Sequence, residues 1–293
     1  MTMAAKFRSL LGSGKMIIAP GVIDGITARL TDQAGFACAY MTGAGTSATL
    51  GYPDYGLLTM TEMVANAQRI ANTMSIPLIS DSDTGYGNEL NMYRTVQEFE
   101  RAGVAAIHIE DQVFPKKCGH LDNKELVSRE DYIAKIRAAA AARKSKDFTI
   151  IARTDSRAVI GFEEAISRAN EALANGADVA FVEAPQTLEE VAAVPKRVKG
   201  PCLLNVVRGG KTPDLEFGEA EKMGYAIAIL PGLLFGAIVN VCDKLLAETK
   251  QLNRYPGERG PGSPAKLFAR FGAAEWDERR TAFRDPPKAQ AAE

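Results

Sequence analysis

Residues 77–110 read PLISDSDTGYGNELNMYRTVQEFERAGVAAIHIE and place an amphipathic segment between two short apolar runs. The runs Pro77–Ser80 and Ala105–Ile109 have the length and composition of buried strands. The segment Leu90–Arg101 has the spacing of an amphipathic helix, and Gly103 follows it where helices commonly end. A strand, a helix and a second strand in this order predict parallel strands joined by a right-handed crossover.

The same alternation continues along the chain in both directions. Eight strand-like runs predict an α/β fold with a closed (β/α)₈ barrel. A doubly wound open sheet is the alternative, but no G-x-G-x-x-G motif follows the first run to support it. The other strand runs are Met16–Ala19, Ala37–Met41, Phe148–Ala152, Val179–Val182, Cys202–Val206 and Ala226–Leu230, and further helical patterns are Thr61–Met74, Arg129–Arg143, Phe162–Ala174 and Phe217–Met223, with helix-ending glycines at 35, 176 and 224.

The end of the chain departs from this repeat. The eighth helix ends near Leu252, and Tyr255–Pro264 is rich in proline and glycine, as linkers are. A short helix is predicted at Pro264–Phe271, followed by a polar end whose last residues, 286–293, are expected to fray. The tail could cap its own barrel, dock on a neighbouring subunit or be partly disordered. The predicted domains are a catalytic barrel at 1–252 and a linker with a helical tail at 253–293.

Composition excludes several functional classes. With 46% hydrophobic residues, 24% charged residues and a formal charge of −1, the chain is typical of soluble globular proteins and not of nucleic-acid-binding ones. The apolar run Tyr225–Val241 is split by Pro231-Gly232, so it predicts a strand and a helix instead of a membrane span. No export signal is evident, and a cytoplasmic location is expected.

Polar residues follow most of the predicted strands. In (β/α)₈ barrels, catalytic groups lie at the C-terminal ends of the strands. Several carboxylates would therefore meet at one mouth, where like charges require a cation or raised pKa values. Residues two apart in a strand share a side, which applies to Asp81 with Asp83 and to His108 with Glu110. The strand-end residues are Thr42 to Gly45, Asp81, Asp83, His108, Glu110, Asp111, Arg153 to Asp155, Glu183 and Asn205.

These oxygen-rich residues favour a Mg²⁺ site, with Mn²⁺ as the alternative ion. Magnesium takes one or two carboxylates directly and keeps several waters, so the remaining acids would bind through water. A single strand-end Asp is more often a helix cap or an ion-pair partner, but acids at three successive strand ends favour a metal. His108 could equally be a packed core imidazole, and Asn205 a turn residue. Arg153 requires anions, and a substrate carboxylate would give it a bidentate partner.

The loop after the fourth strand, residues 112–127, is longer than most and is typical of a lid. It contains Lys116-Lys117-Cys118-Gly119-His120. The neighbouring positive charges are expected to lower the pKa of the Cys118 thiol. Gly119 leaves room for backbone amides to approach an anion. Three roles are open to Cys118: covalent nucleophile, general acid, or an exposed thiol without function.

Taken together, these motifs resemble the isocitrate lyase/phosphoenolpyruvate mutase superfamily, in its methylisocitrate lyase and 2,3-dimethylmalate lyase branch. The resemblance spans roughly residues 5–250. It rests on Lys116–His120 following His108–Gln112, together with Tyr52–Gly56, Asp81–Gly87 and Arg153–Asp155.

The resemblance implies a role for each matching residue. Mg²⁺ would be surrounded by Asp81, Asp83 and Glu110, with Asp54 in its water shell. Cys118 would be the general acid, with Arg153 and His120 assisting catalysis. The general base is not evident, and Tyr40 is a weak candidate. The substrate-binding residues would be Thr42, Gly43 and Ala44, which bind carboxylate through backbone groups, and Asp81, Lys116, Gly119, His120, Arg153, Glu183 and Asn205.

The implied activity is Mg²⁺-dependent carbon–carbon cleavage of a substituted 2-hydroxydicarboxylate, such as 2,3-dimethylmalate or methylisocitrate, to pyruvate or another 2-oxo acid and a carboxylic acid. The alternatives on the same scaffold are an oxaloacetate decarboxylase or hydrolase and a carboxyphosphonoenolpyruvate phosphonomutase. A barrel that binds carboxylates without turnover is a third class, which the strand-end acids and Cys118 disfavour.

Two departures from methylisocitrate lyases bear on whether the substrate is a dicarboxylate or a tricarboxylate. Leu121 stands where those enzymes tend to have arginine, and Gly43-Ala44-Gly45 stands where they have three glycines. The stretch Asn205–Pro213 is more similar to dimethylmalate lyases and petal death proteins, which favours a substrate with two carboxylates. Family members also imply a homotetramer that exchanges its C-terminal helix between subunits.

Overall fold

The computed structural model describes residues 1–256 and 263–284 and contains a closed barrel of eight parallel strands. The predicted (β/α)₈ barrel is confirmed. Each strand pairs with the next in the chain, and the last pairs with the first. The strands are β1 Ile17–Val22, β2 Ala39–Met41, β3 Leu78–Asp81, β4 Ala106–Glu110, β5 Thr149–Thr154, β6 Val179–Val182, β7 Cys202–Asn205 and β8 Ile227–Leu230.

Helices follow the strands, as the alternating pattern predicts. The helices predicted at 162–174 and 217–223 have the observed bounds, and Gly103 and Gly176 adopt positive φ angles of 87° and 112° just past their helices. The described helices are α1 Met3–Leu11, α2 Gly25–Gln33, α3 Gly43–Thr49, α4 Met60–Ala71, α5 Glu89–Arg101, α6 Arg129–Ala142, α7 Ser156–Val159, α8 Phe162–Ala174, α9 Leu188–Arg197, α10 Phe217–Met223, α11 Leu233–Leu252, α12 Pro264–Ala269 and α13 Ala273–Arg284.

Strand β5 extends two residues beyond its predicted end at Ala152. Arg153 pairs with Glu110 of β4 on one side and with Phe181 of β6 on the other. Thr154 continues the ladder by pairing with Val182. Polar residues can extend this strand because β4 and β6 both pair with Arg153, and β6 also pairs with Thr154. Arg153 is therefore fixed by the sheet itself and not by the loop that follows.

Helix α1, which was not predicted, closes the N-terminal end of the barrel. Its Phe7 is fully buried and packs on the apolar side chains that fill the barrel, such as Ile151 and Phe181. Lys6 and Arg8 donate hydrogen bonds to the carbonyls of residues 75 and 147, which precede β3 and β5. With this end filled, the polar groups of the barrel are confined to the C-terminal ends of the strands.

Residues Val239–Glu293 form a second compact unit, separate from Met1–Ile238. The second unit contains the later part of α11 together with α12 and α13. The polar end predicted after residue 271 contains a polar helix, α13, which was not itself predicted and where the Arg279 guanidinium lies 4.8 Å from the Trp276 ring. The division into domains at residue 252 stays a prediction, and the predicted fraying of 286–293 concerns residues outside the described ones. No described helix is long and apolar enough to cross a membrane.

Candidate active site at the C-terminal end of the barrel

Three carboxylates meet where β3 and β4 end. Asp81 closes β3, and its Oδ1 accepts a hydrogen bond from the Asp83 backbone N–H at 2.9 Å. Asp83 adopts a left-handed φ of 47°, and its carbonyl accepts the Glu110 backbone N–H at 3.0 Å. All three residues are buried. An aspartate held at positive φ is strained backbone of the kind that clusters at functional sites.

Lys116 connects this cluster to Asp54. Its ammonium nitrogen lies 2.6 Å from Asp54 Oδ1 and 3.0 Å from Asp83 Oδ1. Burial works against the charged ammonium, but Asp83, Asp54 and other acids outweigh it and raise the pKa of Lys116. The structure thus brings the distant Asp54 beside the strand-end acids through a lysine of the lid loop.

The carboxylate cluster fits a divalent cation. Asp83 Oδ1 and both carboxylate oxygens of Glu110 are buried and accept no hydrogen bond. Burial raises the pKa of Asp83 to about 6 and that of Glu110 well above its usual range. Among the described residues no three His, Cys, Asp or Glu side chains are placed to hold an ion by themselves. A divalent ion at this position would therefore take most of its ligands from water and substrate oxygens.

Arg153 is surrounded by three carboxylates of the protein. Its guanidinium makes a bidentate contact with Asp155, at 2.9 Å from Nε to Oδ2 and 3.2 Å from Nη2 to Oδ1. Nη1 lies 3.2 Å from Glu110 and Nη2 lies 3.2 Å from Glu183. The bidentate partner in this structure is Asp155 of the same strand end. The predicted contact of Arg153 with a substrate carboxylate stays a prediction.

Tyr40 and His108 form a buried pair inside the barrel. The Tyr40 hydroxyl lies 2.8 Å from His108 Nε2 and 3.4 Å from Asp81 Oδ2. Burial, reinforced by Asp81, raises the pKa of Tyr40 well above its usual range, and burial lowers the pKa of His108 to about 4. A neutral phenol is a hydrogen-bond donor, so these directions give no support to Tyr40 as general base, a role that stays a prediction.

The segment after β2 approaches Asp81 closely. The Gly43 backbone N–H donates to Asp81 Oδ2 at 3.2 Å, and a Cβ on Gly43 would lie 2.4 Å from that oxygen. Only glycine permits this approach. The Thr42 hydroxyl accepts the Gly45 N–H at the start of α3, and Ala44 is half-buried. The backbone groups expected to bind a substrate carboxylate thus lie beside the carboxylate cluster.

The loop at 112–127 is folded over this mouth. The Gln112 side chain makes two hydrogen bonds with the backbone of the first part of this loop. Nε2 donates to the Lys117 carbonyl at 2.9 Å, and Oε1 accepts the Lys117 N–H at 3.0 Å. Gly119 lies against the site so tightly that a Cβ there would be 2.4 Å from Arg153 Nη2 and 2.6 Å from Glu183 Cγ. The loop predicted to be a lid thus lies over the mouth, where glycine at position 119 permits its close approach to Arg153 and Glu183. Its opening and closing stay a prediction.

The expected lowering of the Cys118 pKa was wrong. Lys116 is paired with aspartates, and the Lys117 ammonium donates to the Asn123 carbonyl at 3.2 Å, so neither cation is committed to the thiol. Burial instead raises the pKa of Cys118. A thiol that stays protonated can donate a proton, whereas a nucleophile requires the thiolate. The raised pKa argues against the nucleophilic role, and the general-acid role of Cys118 stays a prediction.

His120, Glu183 and Asn205 lie together beside Arg153. His120 Nε2 is 3.4 Å from Glu183 Oε1, and Asn205 Nδ2 donates to Glu183 Oε2 at 3.2 Å. Asn205 Oδ1 is buried and accepts no hydrogen bond. The structure thus brings together residues from the lid, β7 and the end of β6, as strand-end reasoning expects.

Sequence reasoning missed Lys124. Its ammonium is buried, donates to Asp155 Oδ1 at 2.8 Å and also donates to the Gly119 carbonyl. The only signal in the sequence was its position in the long loop after Cys118. Its burial depends on how the loop folds back, which composition does not reveal.

Comparisons with known proteins show the family of the chain. A family model described as phosphoenolpyruvate phosphomutase matches residues 7–250, a range that includes all eight strands. A 2,3-dimethylmalate lyase of Eubacterium barkeri is 49% identical over 232 residues, which cover 79% of this chain and 80% of that protein. A 2-methylisocitrate lyase of Aeropyrum pernix is 44% identical over 241 residues, covering 82% of this chain and 78% of that protein.

A solved structure extends the likeness to another reaction. Oxaloacetate acetylhydrolase in complex with the inhibitor 3,3-difluorooxalacetate superposes with a TM-score of 0.93 at 37% identity, over 97% of this chain and 98% of that one. The same barrel therefore occurs in proteins named for lyase and for hydrolase activity.

Proposed function

Since the chain belongs to the phosphoenolpyruvate phosphomutase family, within the phosphoenolpyruvate mutase/isocitrate lyase superfamily, we propose that it is a Mg²⁺-dependent carbon–carbon lyase. Its substrate is a substituted 2-hydroxydicarboxylate, and its products are a 2-oxo acid such as pyruvate and a carboxylic acid. The observation that carries the proposal is the position of Cys118, a half-buried thiol on the loop that lies over the mouth, next to Gly119, which lies against Arg153 and Glu183.

Asp81, Asp83 and Glu110 would hold the ion, and Asp54 would bind it through water. Buried Oε1 of Glu110 has neither a hydrogen bond nor an ion pair, and Asp83 Oδ1 and Glu110 Oε2 accept no hydrogen bond although Lys116 and Arg153 lie beside them, which supports this assignment. Bound there, Mg²⁺ supplies Lewis acidity to the hydroxyl and carboxylate oxygens of the substrate. Asp83 and Lys116 share a contact of 3.0 Å, so the lid lysine helps to balance the negative charge of the cluster.

Groups of the protein itself carry out the remaining steps. A base takes the proton of the substrate hydroxyl, the C2 oxygen becomes the carbonyl oxygen of the 2-oxo acid as the bond between C2 and C3 breaks, and the bonding electrons pass to C3 and its carboxylate. Cys118 donates its proton to C3, which releases the carboxylic acid and leaves the 2-oxo acid. Arg153 and the N–H of Gly43 stabilise negative charge on carboxylate oxygens. Closure of the lid keeps water from the carbanion before Cys118 protonates it.

A substrate with two carboxylates suits the lid. Leu121 follows His120 and is 42% exposed, so no cation stands at this position to pair with a third carboxylate. The relative named 2,3-dimethylmalate lyase has the higher identity of the two lyases compared, at 49% against 44%. We therefore place 2,3-dimethylmalate before methylisocitrate as the substrate to test.

Oxaloacetate hydrolysis is the second candidate, because the oxaloacetate acetylhydrolase structure superposes over 97% of this chain. Hydrolysis of oxaloacetate yields oxalate and acetate, decarboxylation yields pyruvate and carbon dioxide, and lyase action on dimethylmalate yields pyruvate and propionate. Product analysis separates these reactions. A phosphonomutase, the remaining alternative, would be detected by phosphorus NMR of a phosphonate substrate.

We also propose that the protein assembles as a cytoplasmic homotetramer whose C-terminal helices are exchanged between subunits. No residue of α11 is buried within the described chain. A long helix with so many exposed apolar side chains requires a cover from another surface. The large exposed apolar residues of α11, α12 and α13 are Leu233, Ile238, Val239, Val241, Leu245, Leu246, Leu252, Leu267, Phe268, Trp276 and Phe283.

Replacement of Cys118 by serine tests the proposed chemistry. We expect Cys118→Ser to lower turnover by about 10²- to 10⁴-fold, the usual worth of a positioned general acid, while Mg²⁺ and oxalate still bind. Cys242→Ser, which changes an exposed cysteine of α11, is the matched control and should keep full activity. Undiminished turnover in Cys118→Ser would remove the thiol from the mechanism.

A further inference from the structure

The loop after β7 donates a hydrogen bond to one ring nitrogen of His120. The backbone N–H of Lys211 donates to His120 Nδ1 at 3.0 Å. An N–H can donate only to a nitrogen that carries a lone pair, so Nδ1 is the unprotonated nitrogen of the ring. Which nitrogen of a histidine carries the proton is set by the hydrogen bond that the other nitrogen makes.

Gly210 makes this contact sterically feasible. A Cβ on Gly210 would lie 2.7 Å from His120 Nδ1 and 2.9 Å from Cε1, closer than carbon atoms approach. The turn is closed by the Gly210 N–H, which donates to the Val207 carbonyl at 2.9 Å. The Lys211 ammonium also pairs with Asp122 of the lid. Two successive residues of one loop thus contact the lid on both sides of Leu121.

The other ring nitrogen faces the site. A neutral imidazole carries one N–H, which the contact at Nδ1 assigns to Nε2. Nε2 lies 3.4 Å from Glu183 Oε1 and 3.4 Å from Asn205 Nδ2, and the His120 side chain is only 12% exposed. With the proton on Nε2, Asn205 Nδ2 donates to Glu183 instead of to the ring, at 3.3 Å to Oε1 and 3.2 Å to Oε2. Burial lowers the pKa of His120, in keeping with the neutral form. The neighbouring charged groups Glu183, Arg153, Lys124 and Asp155 act in opposite directions on that pKa.

We propose that Gly210 and the backbone N–H of Lys211 are positioning groups that fix His120 as the neutral Nε2–H tautomer. The inference rests on the proposed function in one respect: Nε2–H then donates a hydrogen bond to a substrate carboxylate oxygen, and His120 does not exchange protons. A fixed neutral donor stabilises negative charge without a change in its own charge.

The tautomer can be measured directly in the full protein. The chain has two histidines, His108 and His120, so ring ¹⁵N shifts in histidine-labelled protein give two sets of signals. Solid-state NMR reads these shifts whatever the size of the assembly, and His120→Gln identifies the His120 set. We expect Nδ1 of His120 to be bare and Nε2 to be protonated at neutral pH, with and without oxalate. A protonated Nδ1, or an imidazolium, overturns the inference.

Two variants of Lys211 separate the backbone from the side chain. Lys211→Pro removes the N–H, whereas Lys211→Ala keeps it and removes only the ion pair with Asp122. We expect Lys211→Pro to shift the tautomer and to lower kcat/KM about 100-fold, the scale of one lost transition-state donor, and Lys211→Ala to retain the tautomer. Gly210→Ala is the second test should Lys211→Pro fail to fold. An unchanged tautomer in the folded Lys211→Pro or Gly210→Ala protein contradicts the assignment.

The ring ¹⁵N shifts are measured without turnover. If no lyase activity is found but the ring shifts are as expected, the proposed function fails and the tautomer assignment stands. If Cys118-dependent cleavage is found and Nδ1 is protonated, the tautomer assignment alone fails.

Discussion

Burial, more than neighbouring charge, sets the protonation of Cys118 and His120. The lysines beside Cys118 are engaged elsewhere, so burial raises the pKa of the thiol. The same effect lowers the pKa of His120. A protonated thiol and a neutral imidazole are both donors, which suits a site where negative charge develops on carbon and oxygen.

Leu121 is the residue at which we expect substrate choice to change. Leu121→Arg adds a cation beside His120, at an exposed position of the lid that can accept a longer side chain. We expect kcat/KM to rise about tenfold for methylisocitrate relative to 2,3-dimethylmalate, as one additional ion pair of roughly 1.4 kcal/mol would produce. Steady-state kinetics on both acids measures the ratio. Leu121→Met is the control, and a ratio unaltered in Leu121→Arg would contradict the proposed role.

At the scale of elements, Lys124 joins the lid to the end of β5. It bonds Asp155 and the Gly119 carbonyl, so its loss should release the lid while the barrel remains folded. In Lys124→Met we expect faster tryptic cleavage after Lys117 and a fall in kcat/KM of about tenfold or more, because lid closure completes the site. Lys146→Met, at an exposed lysine, is the control. Equal cleavage rates in Lys124→Met and wild type would exclude this role.

The Lys124 contact also has a defined pH dependence. Burial raises the pKa of Asp155, but Arg153 and Lys124 outweigh it and hold that pKa below its usual range. A depressed folded-state pKa stabilises the fold above the unfolded value of about 3.9, and that stabilisation is lost as the pH falls through the folded value. The difference in unfolding free energy between wild type and Lys124→Met should therefore be constant near neutral pH and shrink below about pH 4.

Elements whose pattern is local could be predicted from the sequence, and contacts that depend on loop closure could not. Asp81 and Glu110 were expected at the mouth because they close apolar runs, and the strands place them there. Lys124 and Gly210 gave no such signal, since their importance arises only when the lid and the β7 loop meet. The Cys118 pKa was misjudged for the same reason: the sequence shows the neighbouring lysines, but not the aspartates that pair with Lys116 or the Asn123 carbonyl that accepts a hydrogen bond from Lys117.

At the scale of the whole molecule, the apolar side chains of α11 to α13 predict assembly. Light scattering should give a mass near four times the 31.5 kDa of one chain. Leu246→Glu puts a charge on a 68% exposed leucine of α11 and should shift the mass towards smaller species, because burying an unpaired charge is costly. Lys244→Glu, on the same helix, is the control. A wild-type protein that is monomeric at micromolar concentration would refute the proposed tetramer.

The most direct test of carbon–carbon lyase activity is release of a 2-oxo acid from candidate substrates with Mg²⁺ and with chelator. The substrates are 2,3-dimethylmalate, methylisocitrate, other alkylmalates and oxaloacetate. We expect pyruvate and propionate from 2,3-dimethylmalate, loss of activity with chelator, and recovery when Mg²⁺ or Mn²⁺ is restored. The absence of a 2-oxo acid from every hydroxy acid, together with formation of oxalate and acetate from oxaloacetate, would contradict the lyase assignment.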